Sequence, residues 1–192
     1  MIQPHIMCKP GDVAKYVLLP GDPKRVERIA SHMDEARKVA EYRQYVTYTG
    51  KYKGIPVSVT STGIGCPAAA IAVEELSRIG AKCFIRVGTT GAIQPDIEIG
   101  EIIVPTAAIR ADGTSRAYAP IEFPAVASLD VTRALLEAAK RLGIEVRSGI
   151  VWTGDAFYAE SEDLVKLWSS LGALSVEMEC SIIFLLALIK GL

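Results

Sequence analysis

Histidine is scarce in this chain. His5 and His32 are the only two, and neither has a second ligand at a recognised metal spacing, so no metal centre is expected. The four cysteines, Cys8, Cys66, Cys83 and Cys180, form no C-x-x-C pair, which leaves reduced packing residues as the expectation. No excess of one charge is present either: the net charge is −1, and a nucleic-acid partner would need a sustained basic face. A small anion stays open as a ligand. No apolar run approaches the ~20 residues of a membrane-spanning helix. The longest, Ile182–Ile189, reads as a buried helix. The first ten residues hold Pro4, His5, Lys9 and Pro10 and no apolar core of a secretory signal. A cytoplasmic protein with no membrane partner is therefore expected. The G-x-S-x-G elbow of serine hydrolases is missing. So is a dinucleotide fingerprint, because Gly63-Ile64-Gly65 runs on into Cys66-Pro67-Ala68. Internal repeats, low-complexity tracts and linkers are absent.

What is there is an apolar half of 192 residues, enough for one well-filled core, and residues 1–192 are expected to form one domain. Short runs rich in Val and Ile, at Tyr16–Leu19, Val57–Thr60, Cys83–Val87, Ile102–Val104 and Val146–Trp152, predict strands covered on both faces. Helical spacing intervenes. Pro67–Ile79 places Ala69, Ala72, Val73 and Leu76 on one side, with Glu74, Glu75 and Arg78 mostly on the other, and stops at Gly80. Asp130–Leu142 starts on a capping-type Asp, aligns Val131, Leu135, Ala139 and Leu142, and stops at Gly143. Ser161–Leu171 turns Leu164, Trp168 and Leu171 inward, with Ser161 as its cap. The alternation predicts an α/β fold with a mixed, largely parallel central sheet flanked by helices. Residues 111 to 128, with Gly113, Pro120 and Pro124, read as one long irregular segment.

Three strand ends carry candidate chemistry, and ligands of open α/β sheets bind beyond such ends. Leu18 to Arg25 reads as strand, glycine turn, Asp22 as N-cap and Pro23 at the first helical position. Amides at that helix start, with Arg25, would attract an anion. Taken alone, the same residues read more simply as an ordinary capped helix with a surface arginine. In Ile85-Arg86-Val87-Gly88-Thr89-Thr90-Gly91-Ala92 an arginine interrupts an apolar strand. Either a structural salt bridge or an anion cradle accounts for it, the glycines permitting close backbone approach. Ser175 to Cys180 sets Glu177 and Glu179 around Met178 before the apolar helix. Carboxylates there suit the hydroxyls of a sugar diol, while compensation of the helix dipole by Glu179 and core filling by Met178 are the plain alternatives.

Together, Gly21-Asp22-Pro23, Ser61-Thr62-Gly63-Ile64-Gly65, Arg86 to Ala92, Gly154-Asp155-Ala156-Phe157-Tyr158 and Val176-Glu177-Met178-Glu179 resemble the nucleoside phosphorylases. That family includes uridine phosphorylase, hexameric purine nucleoside phosphorylase and archaeal methylthioadenosine phosphorylases, and the resemblance runs over essentially the whole chain. It implies phosphate as co-substrate, no metal or organic cofactor, and cleavage of a nucleoside to free base and (deoxy)ribose 1-phosphate. It further implies that Gly21, Arg25, Arg86 and Thr89 hold phosphate with Arg43 of a neighbouring subunit, Arg86 and Glu179 being the catalytic pair. Met178 would lie against the ribose, Glu179 would take its 2′ and 3′ hydroxyls, and a neighbour's His5 would meet its 5′ end. Phe157 would stack on the base. Homodimers with shared sites, assembling into hexamers, are the implied oligomers.

Two departures qualify the resemblance. Uridine phosphorylase follows its Phe-Tyr with a Gln and an Arg that read uracil, whereas here Phe157-Tyr158 leads into Ala159-Glu160-Ser161-Glu162-Asp163. The framework is thus uridine-phosphorylase-like, with a base pocket leaning to purine nucleosides such as inosine, adenosine or methylthioadenosine. Family members also continue with a further strand and helix past Gly191-Leu192, so this chain is expected to be C-terminally short and weak or silent in catalysis. A nucleosidase of similar fold, using water, and a catalytically silent nucleoside- or phosphate-binding subunit are the alternatives. Three arginines have no evident purpose around a water nucleophile, which counts against the nucleosidase.

Overall fold

Valine and leucine at alternate positions of Tyr16–Pro20 (β1) are fully buried, with Val17 and Leu19 closed on both sides by neighbouring strands. In this computed structural model, which describes residues 1–192, the chain folds into two compact units. Met1–Gly88 with Ile189–Leu192 form one, and Thr89–Leu188 the other. The expected α/β organisation, mixed sheets flanked by helices, is present, and its strands are shared between two five-stranded sheets.

In the first unit, β1 is followed by Pro23–Ala30 (α1), the hairpin of Asp34–Tyr42 (β2) and Tyr45–Tyr52 (β3), Ile55–Thr60 (β4), Cys66–Arg78 (α2) and Cys83–Val87 (β5). The sheet order is β2-β3-β4-β1-β5. Parallel pairing is confined to β1 with its neighbours β4 and β5, and the remaining pairs are antiparallel. In this unit the expectation of a largely parallel sheet therefore holds only for β4-β1-β5, the side of the sheet that ends at β5. β2 carries no strand signal, because it is an edge strand whose Asp34, Glu35, Arg37 and Lys38 face solvent. Val26 from α1 packs on Val46 and Val59, with Leu18, Ile29, Met33 and Tyr48 around them. Each of those fully buried valines contributes roughly 1.5–3 kcal/mol. Helix α2 buries Ala69, Ala72, Val73 and Leu76 as expected, and it buries Glu75 too, contrary to its assignment to the outer face.

The second unit runs Gly91–Ala92 (β6), Ile102–Arg110 (β7), Gly113–Tyr118 (α3), Ala125–Val126 (β8), Leu129–Leu142 (α4), Val146–Thr153 (β9), Glu162–Ser170 (α5), Ser175–Glu177 (β10) and Cys180–Lys190 (α6), of which the last two residues belong with the first unit. Its sheet order is β6-β10-β9-β7-β8, with β9 parallel to both β7 and β10 and the outer pairs antiparallel. Ala108, Ala125, Val151 and Cys180 form a core cluster flanked by Ile103 and Phe184. The segment 111–128 is not irregular throughout, since α3 and β8 lie within it. Asp112 caps α3 by accepting the Ser115 N–H, a three-residue reach that helical periodicity does not reveal. The cap of α4 is Ser128 rather than Asp130, which falls in the first turn, where it still faces the positive end of the helix. Leu142, Leu164 and Leu171, expected inward, are exposed in this chain. All four cysteines are free, and Cys8, Cys66 and Cys180 are buried. No helix is long and apolar enough to cross a membrane.

Candidate functional site

Because β4, β1 and β5 are parallel neighbours, their carboxyl ends fall side by side, and each ends in one of the motifs singled out in the sequence. After β1 the chain turns at Gly21, and Asp22 caps α1 by accepting the Lys24 N–H at 2.9 Å, with Pro23 opening the helix. After β4, the N–H groups of Thr62 and Gly63 donate to the carbonyls of Pro20 and Gly21 at 2.9 and 3.0 Å, which locks the two turns together. Arg86 lies opposite Leu19 in the β1–β5 register. Its Nη1 donates to the Leu19 carbonyl at 3.0 Å, while Nη1 of Arg25 donates to the Val87 carbonyl at 3.2 Å.

The two arginines are thus tethered to backbone at one sheet edge, and the Arg86 side chain is hemmed in by glycines. A Cβ at Gly21 would lie 3.2 Å from its Nη2, and one at Gly88 would lie 3.3 Å from its Cζ. Such distances are tighter than ordinary packing, so the absence of side chains at both positions sets the guanidinium's place. Arg25 is half-buried, and its bond to the Val87 carbonyl holds it against the end of β5. A guanidinium carries five N–H donors in a planar fork, so a backbone tether is compatible with simultaneous binding of an oxyanion. The structure brings Gly21, Arg25 and Arg86 together in this way. Arg43 lies elsewhere in the unit, exposed at the tip of the β2–β3 hairpin with φ of 55°, its guanidinium 5.3 Å from the Tyr42 ring centroid. His5, in the N-terminal turn, has Nδ1 2.6 Å from Oε1 of Glu75.

The second unit repeats the arrangement with β7, β9 and β10, whose ends are in register at Arg110, Thr153 and Glu177. Glu177 meets the start of the helix α6. Its Oε2 accepts the N–H groups of Glu179 and Cys180 at 2.7 and 2.8 Å, and the Thr153 hydroxyl donates to its Oε1. Burial holds the Glu177 carboxyl above the ordinary carboxylate value, opposed by those hydrogen bonds and reinforced by the neighbouring Glu179 carboxylate. Glu179 is itself buried, and Met178 is partly buried between the two acids.

Below them runs a polar network that the sequence did not disclose. The Ser181 N–H donates to Thr153 Oγ1, the Ser181 and Ser115 hydroxyls donate to Asp112, and Nε of Arg110 donates to Ser115 Oγ. Buried Arg110 also donates to the carbonyls of Ser115, Ala119, Pro120 and Phe123, which fixes the loop after α3. A charged residue ending an apolar strand was the available signal, the same one that drew attention to Arg86. Thr90 donates its hydroxyl to the Val176 carbonyl at 2.6 Å, and Thr89 beside it is exposed. Phe157, in the short turn Phe157–Ala159, is 63% exposed and meets Tyr158 edge-on at 5.1 Å. An uncovered ring of that kind can take a flat partner on its face.

Comparison with known proteins gives a consistent match. The family described as the phosphorylase superfamily matches residues 15–192. A uridine phosphorylase of Thermococcus kodakarensis is 53% identical over 204 residues, spanning all of this chain and 74% of the relative. A guanosine phosphorylase of Halorubrum lacusprofundi is 45% identical, over 99% of this chain and 79% of its own length. The crystal structure of a uridine phosphorylase from Vibrio fischeri is similar with a TM-score of 0.96 at 40% identity, covering 99% of this chain and 80% of that one.

Proposed function

The chain belongs to the phosphorylase superfamily, as a nucleoside phosphorylase of the uridine-phosphorylase-like kind and hence a pentosyltransferase, and from that premise we propose its substrates and the roles of its residues. Phosphate attacks the anomeric carbon while the glycosidic bond breaks and the base departs with the bonding electron pair and takes up a proton. The products are the free base and ribose 1-phosphate. The sugar gathers positive charge and the base negative charge in that transition state, so the enzyme must place an oxyanion opposite the leaving base.

The observation that carries the assignment is the pair of tethered guanidiniums on the β1–β5 edge, one of them seated between Gly21 and Gly88. Arg25 and Arg86, with Gly21 and Thr89, hold phosphate, and Arg43 joins them from a neighbouring copy. Glu179 accepts the 2′ and 3′ hydroxyls, Met178 packs on the ribose, Phe157 stacks on the base, and His5 of the neighbour serves the 5′ end. The protein acts in the cytoplasm as homodimers with shared sites, assembling to hexamers. Neither metal nor organic cofactor takes part, since the arginines supply the charge that a metal would otherwise bring.

Uridine is the first substrate proposed, in line with the names of the Thermococcus and Vibrio relatives. A purine nucleoside is the second reading, favoured by the acidic run after Tyr158 in place of a Gln–Arg pair and by the guanosine phosphorylase at 45% identity. Incubation of uridine, inosine, guanosine and methylthioadenosine with phosphate, followed by product analysis, decides among the readings. Phosphate-dependent ribose 1-phosphate is expected, unchanged by chelators. Free ribose instead identifies a nucleosidase, and the absence of both products a binding subunit. Arg86→Met should lower kcat/KM about 100- to 1000-fold, the scale of losing a charge-stabilising donor.

A further inference from the structure

Glu75 is a carboxylate in the wrong place for an amphipathic helix. It sits on the inner face of α2 among Ala72, Val73 and Leu76, with only 3% of its surface exposed, and burying a charge there is costly unless it is fully hydrogen-bonded. Its partners are at the N-terminal turn. Oε2 accepts the backbone N–H of His5 at 3.0 Å and that of Ile6 at 2.9 Å, and Oε1 stands 2.6 Å from Nδ1 of the His5 ring. Ile6 beside it is fully buried, whereas the His5 side chain is 42% exposed. One end of the imidazole is therefore held in the interior and the other is turned out.

An ionised carboxylate only accepts hydrogen bonds, so the short contact places a proton on Nδ1. We propose that Glu75 is the positioning residue of His5, fixing the neutral ring as the Nδ1–H tautomer and presenting Nε2 outward as the acceptor for the 5′-hydroxyl of a nucleoside. The second half rests on the reading given above for His5. The same geometry dictates what Glu75→Gln does. Two backbone N–H groups converge on the Oε2 position, so the amide oxygen of the glutamine must go there and its NH2 must face Nδ1. That NH2 donates, drives the ring proton to Nε2, and converts the outward nitrogen from acceptor to donor.

With only two histidines in the chain, nitrogen-15 spectra of the histidine rings separate the tautomers directly in the intact chain. The wild-type ring is expected to carry its neutral-form proton on Nδ1, and the Glu75→Gln ring on Nε2. In parallel, KM for uridine and for 5′-deoxyuridine is measured for wild type, Glu75→Gln, His5→Phe and the double variant. His5→Phe, which removes the hydrogen bond, should raise KM for uridine roughly tenfold, whereas Glu75→Gln, whose Nε2–H can still donate to the hydroxyl oxygen, should raise it by a smaller factor of about two to three. Glu75→Gln should leave 5′-deoxyuridine unchanged and add nothing in the His5→Phe background. A wild-type ring protonated on Nε2 overturns the proposal even if Glu75→Gln fails to fold. Equal losses on both nucleosides overturn it as well, since they mark a purely structural role for the buried carboxylate. Should wild type cleave no nucleoside, the functional reading fails separately, and the tautomer still decides whether Glu75 sets the ring.

Discussion

Gly21 and the guanidinium of Arg86 are in such close approach that a methyl group on the glycine would stand 3.2 Å from Nη2 and 3.3 Å from the Gly63 carbonyl oxygen. The contact joins the β1 turn to the β5 side chain, and Gly88 closes the other side. Gly21→Ala and Gly88→Ala should each push the guanidinium by a few tenths of an ångström and raise KM for phosphate about tenfold. Thermal stability should change little, because neither position needs positive φ. Equal KM values for wild type and both variants would sink the assignment of Arg86 to phosphate.

Arg110 is buried and supplies the carbonyls of Ser115, Ala119, Pro120 and Phe123 with donors. Replacing it by Met leaves those oxygens unpaired, at about 1–3 kcal/mol for each one that water cannot reach. Arg110→Met should lose at least about 3 kcal/mol in urea unfolding and become sensitive to protease at residues 119–123. A variant as stable and as resistant as wild type would show that the loop holds itself.

The raised carboxyl of Glu177 makes stability depend on pH in a defined direction. Its folded state keeps the proton to higher pH than the unfolded chain, whose ordinary value is 4.5. Between 4.5 and the folded value the native state binds more protons, so this group makes stability fall as pH rises, and it adds no slope below 4.5. Glu177→Gln removes that slope. Urea unfolding across this window should show wild type losing ground to the variant as pH increases, and the opposite trend would contradict the burial argument.

On the surface, Arg147 binds Asp96 at 2.6 Å and Glu101 at 2.7 Å and holds both carboxyls below their ordinary values of 3.8 and 4.5. Depressed carboxylates contribute stability above those ordinary values and lose it as pH falls through the folded ones. The Tm gap between wild type and Arg147→Met should therefore narrow on acidification and in molar salt, which screens exposed pairs. A gap insensitive to both would assign the loss to packing of the arginine stem.

The sequence by itself determined the elements with strong local signals. Val17 and Leu19 alternate in β1, Asp22 and Pro23 start α1, Ser161 starts α5, and Gly143 with φ of 68° ends α4, all through interactions within a few residues. It also determined the family, since five short motifs keep their order along the chain. What it could not give was decided by contacts between distant positions. Glu75 and Glu74 are neighbours of one residue type, yet Glu75 is buried because the His5 and Ile6 amides meet it 70 and 69 residues away. Asp34–Tyr42 becomes a strand because the edge of a sheet, unlike its centre, accepts charged side chains. Glu177 accepts the amides at the start of α6 because backbone direction at the end of β10 turns its carboxylate onto the helix start. Local propensity acts over a turn of chain, whereas burial and hydrogen-bond satisfaction are settled only when remote segments close around a group.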